Sequence, residues 1–134
     1  MKINVICLIG CLFLSSISGV VQADADDVKI TKHLQVVENA IKHCEVKMKK
    51  EERINNLAVW RECHFPAIRP LAEKGNFIAQ MTMFMKLTEF VIYKVNVDEA
   101  TEKERTKWEH AVLNNPEAPA KIKDLVISVK MANK

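Results

Sequence analysis

The sequence predicts an all-helical fold of about five to six antiparallel helices, and three observations carry that expectation. The chain holds only three glycines in 134 residues, and Gly10 and Gly19 fall in an apolar N-terminal stretch, which leaves Gly75 alone for the body. A β-sandwich or α/β domain of this length needs many more turn glycines. No run alternates apolar and polar with period two, whereas apolar residues recur at spacings of three and four through a background rich in Ala, Lys, Glu, Met and Leu.

The N-terminal stretch has a different character from the rest. Lys2 is followed by an apolar run from Ile3 to Val21, then Val21-Gln22-Ala23 and the acidic Asp24-Ala25-Asp26-Asp27. Small residues at −3 and −1 before an acidic start read as an export signal cleaved after Ala23, and not as a transmembrane anchor. Leu8-Ile9-Gly10-Cys11 fits a lipobox, but the segment after Cys11 stays apolar where a polar tether is needed. Export with lipid anchoring at Cys11 therefore stands as the minor alternative to a free periplasmic or secreted protein. Processing removes 23 of the 134 residues and leaves 111, the span 24–134, enough for one domain with one core.

Charge excludes some partners. Loss of Lys2 leaves 19 basic residues against 17 acidic ones, and they are interspersed, as in Lys47-Met48-Lys49-Lys50 followed by Glu51-Glu52-Arg53. Such a balance provides no electrostatic footprint for nucleic acid or an anionic membrane.

Within the body, Ile30, Leu34, Val37, Ala40, Ile41, Cys44 and Met48 form one stripe over five turns, with Asp26 or Asp27 available to cap its start. Ile54, Leu57, Ala58 and Trp60-Arg61 continue a helical period, with Asn55-Asn56 as a break within it. Pro66 is expected at the first position of a new helix, where a missing N–H costs nothing, and that helix should stop at Gly75. From Phe77 to Tyr93 apolar residues lie almost all round, interrupted by Lys86 and Glu89, as in a buried central helix. Met81, Met83 and Met85 do not share a helical face, so they read as core filling and not as a soft-metal site. Asn96-Val97-Asp98 caps a polar helix, Glu99 to Leu113, with Trp108, Ala111 and Val112 inward. Asn114-Asn115-Pro116 turns the chain, and a last helix from about Glu117 carries Ile122, Leu125, Val126 and Val129.

Two corners superpose at an offset of 39 residues: Ala72-Glu73-Lys74-Gly75-Asn76-Phe77-Ile78-Ala79 on Ala111-Val112-Leu113-Asn114-Asn115-Pro116-Glu117-Ala118. A period of this size points to stacked helical hairpins. The run Arg69-Pro70-Leu71-Ala72-Glu73-Lys74-Gly75-Asn76-Phe77-Ile78-Ala79-Gln80 resembles the core of the Sel-like repeat, a short relative of the tetratricopeptide repeat. One repeat would span roughly 55–95 and a degenerate second one 101–130. Met83-Phe84 stands where the family usually has Leu-Gly, and Asn114 replaces the turn glycine in the second copy. The resemblance implies a scaffold that binds other proteins and has no catalytic chemistry of its own. Exported members are similar to proteins of envelope interactions, including immunity proteins that block secreted toxins.

Chemistry-bearing residues are few. Cys44 and Cys63 are the cysteines left after processing, and an even pair in an oxidising compartment reads as one disulfide. A Cys2His2 metal site from His43-Cys44 and Cys63-His64 is the sharper alternative, but adjacent helical residues point about 100° apart and do not converge on one ion. His33 and His110 read as surface or boundary positions. Ser128 is the one mature serine, and neither a nucleophile elbow nor a glycine-rich phosphate loop occurs. No cofactor is expected and enzymatic activity is not. Trp60-Arg61-Glu62 and Lys107-Trp108-Glu109 each place an aromatic beside charges, and Trp60 with Arg61 is the candidate contact for a protein partner: a secreted toxin or an envelope component. A core role is the competing reading for both tryptophans. The remaining alternatives are a structural subunit of an envelope assembly, and a small exported metal carrier or enzyme.

Overall fold

The computed structural model describes residues 25–48, 56–93 and 97–133. Export and lipid anchoring concern residues outside these ranges. Among the described residues the chain forms α1 (Ala25–Glu45), α2 (Asn56–Val59), a π-helical stretch (Trp60–His64), α3 (Phe65–Glu73), α4 (Phe77–Ile92), α5 (Glu99–Leu113) and α6 (Ala120–Ala132), with no strand. The fold is all-α, as the composition and periodicity predict.

Helix α4 is the post around which the others stand, in contact with α1, α3, α5 and α6. Every residue from Phe77 through Thr88 is buried, so the mixture of Phe77, Ile78, Met81, Met83, Phe84 and Leu87 faces a neighbour on all sides. Unbranched methionine fills the irregular gaps that such surroundings leave. The outer helices are one-sided: α1 buries Ile30, Val37 and Ile41, and α6 buries Ile122 and Val126.

The α3–α4 corner follows from one glycine. Gly75 adopts φ 94°, a region open to glycine and costly for other residues. There the Gly75 N–H donates to the Ala72 carbonyl and the Asn76 N–H to that of Leu71, the paired bonds of a Schellman stop. The Asn76 side chain then caps α4 by accepting from the Ala79 N–H at 3.0 Å. Asp98 caps α5 in the same way, accepting from the Thr101 N–H and hydroxyl, both at 2.7 Å. Those bonds, the side-chain one first, together with the nearby Arg61 charge, hold the Asp98 carboxyl below its ordinary range.

Four expectations need correction. No break precedes Pro66: Val59, His64 and Phe65 are all right-handed helical, and α2, the π stretch and α3 run on as one rod. Pro66 has no N–H and its ring crowds the carbonyl four residues back, so the helix widens by one residue just ahead of it. The Phe65 N–H accordingly reaches five residues back to the Trp60 carbonyl. The stripe of α1 ends at Glu45, and Met48 lies in the turn beyond. Asp26 and Asp27 sit inside the first turn of α1, where they suit the positive helix end, and do not cap it. The last helix starts at Ala120 and not near Glu117, because Pro119 keeps the residue before it out of helical conformation and itself takes ψ 157° at the N-cap.

Two polar corners close at the same end of the bundle. Asn115, buried to 8% exposure, donates to the Gly75 carbonyl at 2.9 Å and to Gln80 Oε1 at 3.0 Å. Gln80 in turn donates to the Ala72 carbonyl at 3.0 Å, and Asn76 to the His33 carbonyl of α1 at 3.3 Å. At the opposite end of α1, Cys44 is disulfide-bonded to Cys63 with Cα atoms 5.5 Å apart. Helix α1 therefore lies antiparallel to the π–α3 rod and is held to it near both ends.

The disulfide closes a loop of 19 residues in sequence separation. Replacing Cys44 and Cys63 together by serine is expected to lower stability by about 3 kcal/mol in urea unfolding while the helical circular dichroism is retained. Unchanged stability would contradict a structural role for the bond.

Candidate functional site

The π stretch turns three side chains inward at once: Trp60, Cys63 and His64 are all buried. The placement of Trp60, at 2% exposure, corrects the expectation of an outer-face aromatic and makes it a core anchor, while Arg61 beside it is exposed. Trp108 is likewise 2% exposed, with the Lys107 ammonium lying 4.5 Å over its ring from outside.

What Trp60 packs against is a charge. Lys86 on α4 is 1% exposed, and its ammonium donates to both carboxylate oxygens of Glu89 at 3.1 Å. The same ammonium stands 4.7 Å from the Trp60 ring centre and 5.7 Å from that of Phe90. Phe65 closes the box edge-on to Phe90, with ring centres 5.5 Å apart. A cation taken out of water is tolerated only when a carboxylate and aromatic faces replace its hydration. Lys86 interrupts the apolar run in sequence, and that interruption is the one signal by which this centre could have been found.

His64 borders the box, its ring 4.5 Å from Trp60 in an edge contact. Its Nε2–H donates to Glu45 Oε1 at 2.7 Å, whereas Nδ1 is buried with no partner. Burial lowers the His64 pKa from its ordinary value of 6.5, the nearby Lys86 charge adds to that, and Glu45 opposes both. A protonated ring would carry a buried Nδ1–H donor with nothing to accept it. The neutral ring is thus the form the fold selects. Cys44 and Cys63 are bonded to each other and His43 is exposed, so the four residues do not form a metal site. Among the described residues no three His, Cys, Asp or Glu side chains are grouped to hold an ion.

A second feature lies where α1 meets the α3–α4 corner. An open groove of about 620 Å³ runs along Val28, Lys32 and Val36 of α1, faced by Leu71, Lys74 and Asn76. Val28 and Val36 are 59% and 44% exposed, although successive turns of α1 could have carried charge there. Glu117 closes one side and pairs with Lys29 at 3.2 Å. His33 lines the same groove, its ring tilted against Phe77 with ring centres 4.2 Å apart. The sequence offered no sign of this groove, since the valines lie off the buried stripe and read as ordinary surface.

The two features divide the molecule. The Lys86 ammonium is enclosed by Glu89, Trp60 and Phe90, and these contacts give it a structural role. The groove is open, mixed in character and built on a backbone fixed by the Asn76 and Asn115 bonds. No family model matches the chain, nor does any curated protein or solved structure.

The direction of the His64 shift gives stability a pH dependence. The unfolded chain takes up the proton near pH 6.5 and the folded chain only at lower pH, so stability is full above pH 6.5 and falls as the pH drops below it. Urea unfolding at pH 7.5, 6.5 and 5.5 should show this loss, and His64→Gln should flatten the curve over that interval. A wild-type curve that rises on acidification would reverse the assignment.

Proposed function

We propose that this chain is an exported helical module that binds another protein, acting as an immunity or inhibitor protein toward a secreted toxin or an envelope component. The export reading rests on Lys2 to Ala23 and the acidic residues that follow. The binding reading is carried by the groove: two exposed valines among lysines, on a helix tied to its neighbours at both ends, form a preorganised surface for a partner. The Sel-like resemblance supports it too, because the turns at Gly75-Asn76 and Asn114-Asn115 close side by side, joined by the Asn115 bond to Gly75. Two such hairpins at an offset of 39 residues are the arrangement that the resemblance implies.

The surface offered to the partner shifts accordingly. Trp60 is withdrawn into the core, Arg61 remains outside near Asp98, and the groove at the other end of α1 supplies the apolar area that a hot spot needs. Among the described residues no helix is long and apolar enough to cross a membrane.

A photo-crosslinking side chain at Val36 tests this in cells that make the protein from its own gene. Ile127 on α6 is 42% exposed, against 44% for Val36, and serves as the matched control. The expected result is one discrete protein adduct at Val36, in the periplasmic fraction, and none at Ile127. Equal adducts at both positions, or none at Val36, would contradict the reading.

A further inference from the structure

Charge along the groove is one-sided. Lys29, Lys32 and Lys74 line it against Glu117 alone, and Glu117 is already engaged by Lys29. Lys32 and Lys74 are exposed and have no ion-pair partner among the described residues. They stand on opposite walls, one on α1 and one at the end of α3, with Val28, Val36 and Leu71 between them. Elsewhere three ion pairs join helices: Arg69 with Glu104 at 2.8 Å, Lys130 with Glu109 at 3.6 Å, and Lys121 with Asp27. The α1 wall from Ala25 to Val36 is about 16 Å long at the helical rise, which matches about five residues of extended chain.

We infer that the groove takes a short acidic segment of the partner protein, with carboxylates on Lys32 and Lys74 and an apolar side chain between Val28 and Val36. The inference rests on the protein-binding reading above and adds the chemistry of the bound segment. Charge complementarity selects the segment and speeds its arrival, and the valines supply the apolar burial that a purely ionic contact at exposed lysines lacks. A basic segment meets two uncompensated lysines and is rejected by the same arrangement.

The test uses the processed protein purified from the periplasm, labelled with ¹⁵N. The probe is the capped peptide Asp-Leu-Glu-Asp-Leu-Glu, with Lys-Leu-Lys-Lys-Leu-Lys as its counterpart. The acidic peptide should move the amide signals of Val28, Lys32, Val36 and Asn76, and the basic one should leave them in place. The double substitution Lys32→Glu with Lys74→Glu should weaken binding at least about tenfold with an unchanged circular dichroism spectrum. Raising salt from about 50 to 500 mM should weaken it several-fold. Equal effects of both peptides, shifts centred elsewhere, no shifts at about 2 mM peptide, or full binding by the double variant would overturn the inference. Movement of the same signals on raising protein concentration without peptide would also overturn it, since the occupant would then be a second copy. If a Val36 adduct forms in cells while the peptide arms fail, the binding reading stands and the acidic segment falls. If both fail, the groove is not a docking site.

Discussion

Lys86 sits in the middle of the buried helix α4, and burying its ammonium sets terms that neighbouring elements have to meet. An ion removed from water costs several kcal/mol unless hydrogen bonds and charges replace its hydration. Glu89, three residues on, supplies the carboxylate, and Trp60 and Phe90 supply the ring faces. Trp60 reaches the ammonium from the π-helical stretch, where the widened turn directs Trp60, Cys63 and His64 inward together. The arrangement therefore depends on Pro66, which denies the preceding turn its regular hydrogen bonding and so favours the π geometry.

The same turn fixes α1. With Cys63 pointed inward, its bond to Cys44 holds the C-terminal end of α1 against the rod, and the Glu45–His64 hydrogen bond lies immediately beside it. The other end of α1 is held by polar contacts: the Asn76 side chain on the His33 carbonyl, Lys29 on Glu117 and Asp27 on Lys121. The open groove lies between these contacts, so its walls are set by a corner and a helix with little freedom to part. A surface of that kind would lose little order on association, which is the physical reason to propose it for the interaction role.

Much of the fold was legible. Glycine scarcity and the absence of period-two runs indicated an all-helical chain, and Gly75 and Asp98 marked the helix ends where they occur, because each uses local backbone chemistry that a sequence displays. The π stretch was not legible, since Pro66 is compatible with a fresh helix start and with a continuous widened rod. Only packing of Trp60 and Cys63 against α1 and α4 chooses between them. Trp60 and Arg61, neighbours in sequence, point to opposite environments, and nothing in a Trp-Arg-Glu string says which faces the core. The groove was invisible for a related reason. It is made from residues 28–36, 71–76 and 117, which only the tertiary arrangement brings together.

The central claim is that Lys86 is a charge stabilised by Glu89 within an aromatic box, and that this box organises the core. Denaturant unfolding of Glu89→Gln and Lys86→Met measures it directly. Glu89→Gln leaves the buried ammonium without its carboxylate and is expected to cost about 3 kcal/mol. Lys86→Met keeps the packing and removes the charge, with Glu89, 19% exposed, left able to hydrate. That variant should fall within about 1 kcal/mol of the wild type or exceed it. A Glu89→Gln protein as stable as the wild type would contradict the account, as would a Lys86→Met protein that loses as much as Glu89→Gln.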